Sequence, residues 1–99
     1  MTVSINTIDN ISTFVIEGRI DTLTAPELEK AFSDAEPASD KVIFDMSGVD
    51  YISSAGMRVI IAVHRTMAKK EGLVLKGLTK NVKTIINLTG FTKVLNIEE

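Results

Sequence analysis

The sequence predicts a single small α/β domain over residues 1–99, a mixed, mainly parallel sheet packed by helices in the order β-β-α-β-α-β-α-β. Three observations carry this prediction. Short runs of strand character alternate with segments whose apolar residues recur at spacings of three and four. Such alternation implies right-handed crossovers and parallel strands. The first two strand-like runs are separated only by Asp9-Asn10, which reads as a hairpin and adds one antiparallel strand at the edge. Finally, 99 residues with 44% apolar and 24% charged content suffice for one core without disulfides or metals.

Each element has its own local signal. Residues 2–8 alternate apolar and polar, with Val3 and Ile5 on one face. Ile11 to Glu17 is a second β-rich run, closed by Gly18. Thr24-Ala25-Pro26-Glu27 opens the first helix, with Thr24 as N-cap, Glu27 completing a capping box and Pro26 in the first turn. Leu28, Ala31, Phe32 and Ala35 form its apolar stripe, and Pro37 ends it. Lys41 to Met46 is a nearly continuous apolar run, as in a strand covered on both faces. A short polar turn follows, and a helix is expected from about Ser54 to Lys70, terminated by Gly72 as a left-handed cap. It carries Met57, Ile60, Ile61, His64 and Met67 on or near one side, and Arg58, Arg65 and Lys69 on another. Leu73 to Lys76 is the next strand. Thr79 caps a helix through Leu88 that Gly90 stops, and Val94 to Ile97 is the last short strand or a tail tucked against the sheet.

Composition narrows the function. Eleven Lys and Arg against thirteen Asp and Glu give a net charge of −2, which argues against a nucleic-acid binder. With no cysteine, there is no disulfide, thiol chemistry or Cys-based zinc site. The N-terminus lacks a signal-peptide pattern, and the apolar run Val59 to Val63 is too short to span a bilayer. A cytoplasmic protein without direct membrane insertion is expected.

Signatures of catalysis are missing. His64 is the only histidine, and ten residues of helix, about 15 Å, separate it from Ser54, too far for a Ser-His-Asp triad. One histidine and scattered acids do not make a metal site. Neither Gly-x-Gly-x-x-Gly nor a Walker loop occurs. The chain is expected not to be an enzyme and to need no cofactor.

Chemistry concentrates instead at Ser53-Ser54-Ala55-Gly56, where a strand feeds a helix. Free N–H groups and the positive end of the macrodipole favour an anion there. A serine at this place is either a plain cap, worth about 1 kcal/mol, or the acceptor of a phosphoryl group. Gly56 permits close approach of helix and sheet. Asp21, Asp45 and Asp50 lie nearby in sequence or by topology. Asp21 and Ser54 both follow carboxyl ends of strands, the edge where open α/β sheets bind ligands and partners.

The segment Phe44-Asp45-Met46-Ser47-Gly48-Val49-Asp50-Tyr51-Ile52-Ser53-Ser54-Ala55-Gly56-Met57 resembles the signature of the STAS domain, the anti-sigma factor antagonist family. Gly18-Arg19-Ile20-Asp21 is similar to that family's Gly-x-apolar-Asp, and Leu88-Thr89-Gly90-Phe91-Thr92-Lys93-Val94-Leu95 resembles its closing segment. The resemblance covers essentially the whole chain. It implies that Ser54 is the phosphoacceptor, modified by an anti-sigma factor serine kinase and restored by a serine phosphatase. Ser53 stands where the family usually has Asp, which makes it a rival acceptor. The resemblance further implies a partner-binding face of Asp21, Ser53, Ser54, Ala55, Gly56, Met57 and Arg58, through which the unphosphorylated form releases a sigma factor. Some stand-alone domains of this family instead dock constitutively on the ATPase of an ABC lipid transporter, and this is the alternative expectation.

Overall fold

Asp9 and Asn10 both adopt positive φ, 53° and 64°, the paired left-handed conformation that lets a two-residue hairpin follow strand twist. The computed structural model describes residues 1–98. Strand β1 (Thr2–Ile8) runs antiparallel to β2 (Ile11–Ile20). Helix α1 (Ala25–Ala35), β3 (Lys41–Ile52), α2 (Ser54–Met67), β4 (Leu73–Lys76), α3 (Lys80–Thr89) and β5 (Asn96–Glu98) follow. The five strands lie in sequence order, and every pair after the hairpin is parallel. This is the expected small α/β fold.

Phe14, Ile16, Phe44, Met46 and Leu75 point to one face, where they join Leu28, Phe32, Ile60, Val82 and Ile86 from the helices in one buried cluster. The expectation of a sheet covered on both faces is corrected. Thr13, Val15, Ile43 and Val74 on the opposite face are not buried, and the apolar run at 41–46 conceals the strict in–out alternation of its burial.

The largest correction concerns the polar turn expected after Met46. There is no turn: β3 continues to Ile52, and β2 continues past Gly18 to Ile20 beside it. Val15 pairs with Asp45 and Glu17 with Gly48; Gly18 pairs with Val49 and Arg19 with Tyr51. At each step β3 inserts one extra residue, a β-bulge. The bulges turn Val49 and Ile52 into the core although they follow Met46 at spacings of three. Such spacing does not read as a strand.

The helix ends differ in detail. Thr24 makes no side-chain cap to α1; its hydroxyl donates to Arg19 O (2.8 Å) and accepts from Asp21 N (2.9 Å). Asp21 holds the turn instead, its Oδ1 accepting from the N–H groups of Leu23 and Thr24, each at 3.0 Å. Helix α2 stops at Met67 rather than Lys70. Residues 68–71 form a turn before Gly72 (φ 100°), whose carbonyl accepts from Val42 N. Thr79 and Gly90 bracket α3 as expected, the latter at φ 79°. The last strand begins at Asn96, two residues later than expected.

Candidate functional site: the head of α2 and the groove beside α3

Strand β3 passes into α2 through one residue, Ser53. Its N–H donates to Ile20 O at 2.8 Å, so the turn is held by the last residue of β2. With extended backbone (φ −87°, ψ 174°), Ser53 turns its Oγ back to accept from Gly56 N at 3.1 Å. This satisfies one of the unpaired donors of the helix head. Ser54, the first helical residue, is exposed, and its hydroxyl makes no hydrogen bond among the described residues.

Gly56 fixes how closely α2 sits. A Cβ built there would lie 2.7 Å from Ile20 Cγ2, 2.8 Å from Ile52 Cγ1 and 3.0 Å from Ile20 O. The absent side chain lets the head of α2 rest on the ends of β2 and β3. Gly56 and Met57 are buried and Ala55 is half-buried, so these residues shape the face from beneath; Ser54 and Arg58 are exposed.

Two of the nearby carboxylates are engaged in local structure. Asp21 Oδ1 is occupied by the Leu23–Thr24 turn, while Oδ2 lies 4.0 Å from Arg19 Nε. The hydrogen bond from the Thr24 backbone holds its carboxyl below the ordinary value of 3.8. Asp45 accepts from the Ser47 hydroxyl (2.8 Å) and N–H (3.1 Å), and the hydroxyl bond is the main cause of its lowered pKa. Asp50 contributes its backbone: its carbonyl accepts from Asn81 Nδ2 at 2.7 Å. Arg19 lies over the Tyr51 ring at 4.4 Å, a cation–π contact beside the turn.

A feature not anticipated from sequence is a groove of about 670 Å³ between α2 and α3. Its α2 wall is the stripe Ser54, Arg58, Ile61, Arg65, at i, i+4, i+7 and i+11; opposite stand Ile85 and Leu88. Met57 contributes to the lining, as does Phe91 from beyond α3. The bulges position this groove. The carbonyl of Val49 accepts from Thr79 Oγ1 at 2.8 Å and that of Asp50 from Asn81, tying the head of α3 to the strand that delivers Ser53. Arg58 also lines a smaller cavity of about 270 Å³ toward α1. Lys69 lies beyond the end of α2, so the basic stripe of the groove ends at Arg65. Among the described residues no cluster of three or more His, Asp or Glu is placed to hold a metal, and no helix is long and apolar enough to cross a membrane.

The bulged five-stranded mixed sheet, its three helices and the serine pair heading α2 make this a small α/β domain. Residues 2–99 match the STAS domain family model, and the chain belongs to that family. It is 27% identical over 99 residues to a Bordetella bronchiseptica protein provisionally named as the anti-sigma factor antagonist BtrV, covering 98% of this chain and 85% of that one. The crystal structure of an anti-sigma factor antagonist from Mycobacterium paratuberculosis superposes with a TM-score of 0.87 at 26% identity, over 97% of this chain and 83% of the other. The Bacillus cell fate determinant SpoIIAA in its phosphorylated form has the same fold, with a TM-score of 0.74 at 12% identity over 99% and 92% of the two chains.

Proposed function

We propose that this chain is an anti-sigma factor antagonist whose docking face is switched by phosphorylation of Ser54. The observation that carries the reading is the division of labour at the head of α2. Ser53 caps the helix, and Ser54 next to it presents an exposed hydroxyl with no protein partner among the described residues. Family membership, the name of the Bordetella relative and a phosphorylated protein of the same fold support it.

The unphosphorylated form binds an anti-sigma factor serine kinase and thereby releases a sigma factor. Transfer of the ATP γ-phosphoryl group to Ser54 Oγ breaks the bond between the γ-phosphorus and the β–γ bridging oxygen, releases ADP and the hydroxyl proton, and adds a charge of about −1.5 to −2 at neutral pH. The α2 head tolerates that charge through its N–H groups and dipole, so the domain stays folded while the interface weakens. A penalty of about 2–3 kcal/mol lowers affinity roughly 30- to 150-fold, enough for reversible exchange. A serine phosphatase resets the switch. The protein itself performs no catalysis and acts in the cytoplasm.

The test is co-purification from the native cell with wild type, Ser54→Ala and Ser54→Asp, followed by intact mass after incubation with the recovered kinase and ATP. One added phosphate on wild type, none on Ser54→Ala, and loss of the partner by Ser54→Asp are expected. Unmodified wild type with its true partner, or recovery of a transporter ATPase and no kinase, would falsify the switch.

A further inference from the structure

We infer that the α2–α3 groove takes the apolar face of an acidic amphipathic helix from the partner protein, its carboxylates pairing with Arg58 and Arg65. This rests on the partner-switch reading above and adds which element of the partner docks, and where.

Charge is the first argument. The chain carries thirteen acidic residues and a net charge of −2, yet neither α2 nor α3 contains a single Asp or Glu. The same two helices carry Arg58, Arg65, Lys80 and Lys83. Arg58 and Arg65 make no ion pair or hydrogen bond among the described residues. An acid-free helix pair on an acidic protein is complementary to a negatively charged occupant.

Shape is the second. Leu88 is 83% exposed on the groove wall, and Ile61, Ile85 and Phe91 line the space around it. From Ser54 to Arg65 the stripe rises about 16 Å, three turns of helix, which matches a helix-in-groove contact read at i, i+3, i+4 and i+7. Arg58 and Arg65 are two turns apart, so they meet carboxylates spaced i and i+7 on a helix lying along the groove.

Continuity with Ser54 is the third. The serine begins the same stripe, one turn before Arg58. A phosphate on Ser54 would place a dianion at the groove mouth, repelling an acidic occupant and competing for Arg58. The groove thus supplies a route by which modification of one exposed hydroxyl weakens a whole interface.

Photo-cross-linking from a benzoylphenylalanine at position 88 of the full chain in the native cell, with the adduct mapped by mass spectrometry, tests this directly. The expected adduct lies in a helix-forming segment of the kinase that has an apolar stripe and carboxylates two turns apart. With the purified pair, Arg65→Glu should weaken binding at least about tenfold, as should Arg58→Glu. A carboxylate-to-Lys change in the mapped segment should recover most of the Arg65→Glu loss. Both arginines are exposed, and circular dichroism checks that the variants fold. An adduct to a second copy of this chain, an adduct to a segment without carboxylates, or full binding by both arginine variants overturns the inference. If those variants bind normally while Ser54→Asp does not, the groove fails and the switch stands. If Ser54→Asp also binds normally, the switch itself fails.

Discussion

Of the two adjacent hydroxyls at the head of α2, only that of Ser53 has a backbone N–H to satisfy. Ser53→Ala should therefore cost about 1 kcal/mol of stability, whereas Ser54→Ala should change it by less than about 0.5 kcal/mol; urea denaturation of the two variants checks both. The serine pair was legible in the sequence as a cap or an acceptor, but two like residues in a row carry no sign of which does what. The assignment follows from the extended backbone of Ser53, which swings its Oγ back over Gly56 N. The same limit applied to Thr24. Its sequence context is that of a capping box, but Asp21 three residues earlier takes the turn N–H groups, and the Thr24 hydroxyl turns away to Arg19 O. Local motifs name the residues able to cap and leave open which of two competitors wins.

Among the elements, β3 controls the site. Its two bulges keep polar residues within the ladder, carry Ser53 to the sheet edge and expose the carbonyls that anchor α3. Gly56 then sets the height of α2. Gly56→Ala should destabilise by about 1–3 kcal/mol, because the added methyl meets the Ile20 backbone oxygen as well as two branched side chains. Thermal denaturation should show this as a lowered Tm, and a Tm equal to wild type would mean that the helix head moves freely. The close approach at Gly56 was readable from the strand-to-helix pattern, but the bulged continuation of β3 was not. Residues 47–51 include Ser47, Gly48 and Asp50, and the buried positions 46, 49 and 52 recur every third residue, which is not the period of a strand. Only pairing with β2, about thirty residues earlier in the chain, holds them extended.

Across the whole molecule, charge is unevenly divided. The helices flanking the groove bear no acids, while Asp21 and Asp45 each sit in a cradle of N–H and hydroxyl donors that lowers their pKa. A carboxylate whose folded pKa is depressed contributes stability that is present above its ordinary value and lost as pH falls through the folded one. Stability should accordingly decline on acidification below about pH 4, and the Asp21→Asn, Asp45→Asn double variant should show a shallower acid limb in Tm against pH. An unchanged acid limb would assign the loss to other groups. The open face of the sheet, with Val15, Ile43 and Val74, also belongs to this scale, because a run of apolar residues looks the same whether one or both of its faces are covered.

The sequence by itself determined the class of fold, the hairpin, the three helices, the serine pair and the family. All of these rest on local periodicity, turn residues and short contiguous motifs. Tertiary structure decided the rest: which serine caps and which is free, how far β3 runs, which sheet face is bare, and that Ser54, Arg58 and Arg65 line one groove with Leu88. The cap itself is a local Ser53–Gly56 bond, on a residue that Ile20 O holds from the neighbouring strand; the others depend on hydrogen bonds or packing between segments far apart in the chain, which a local pattern cannot encode.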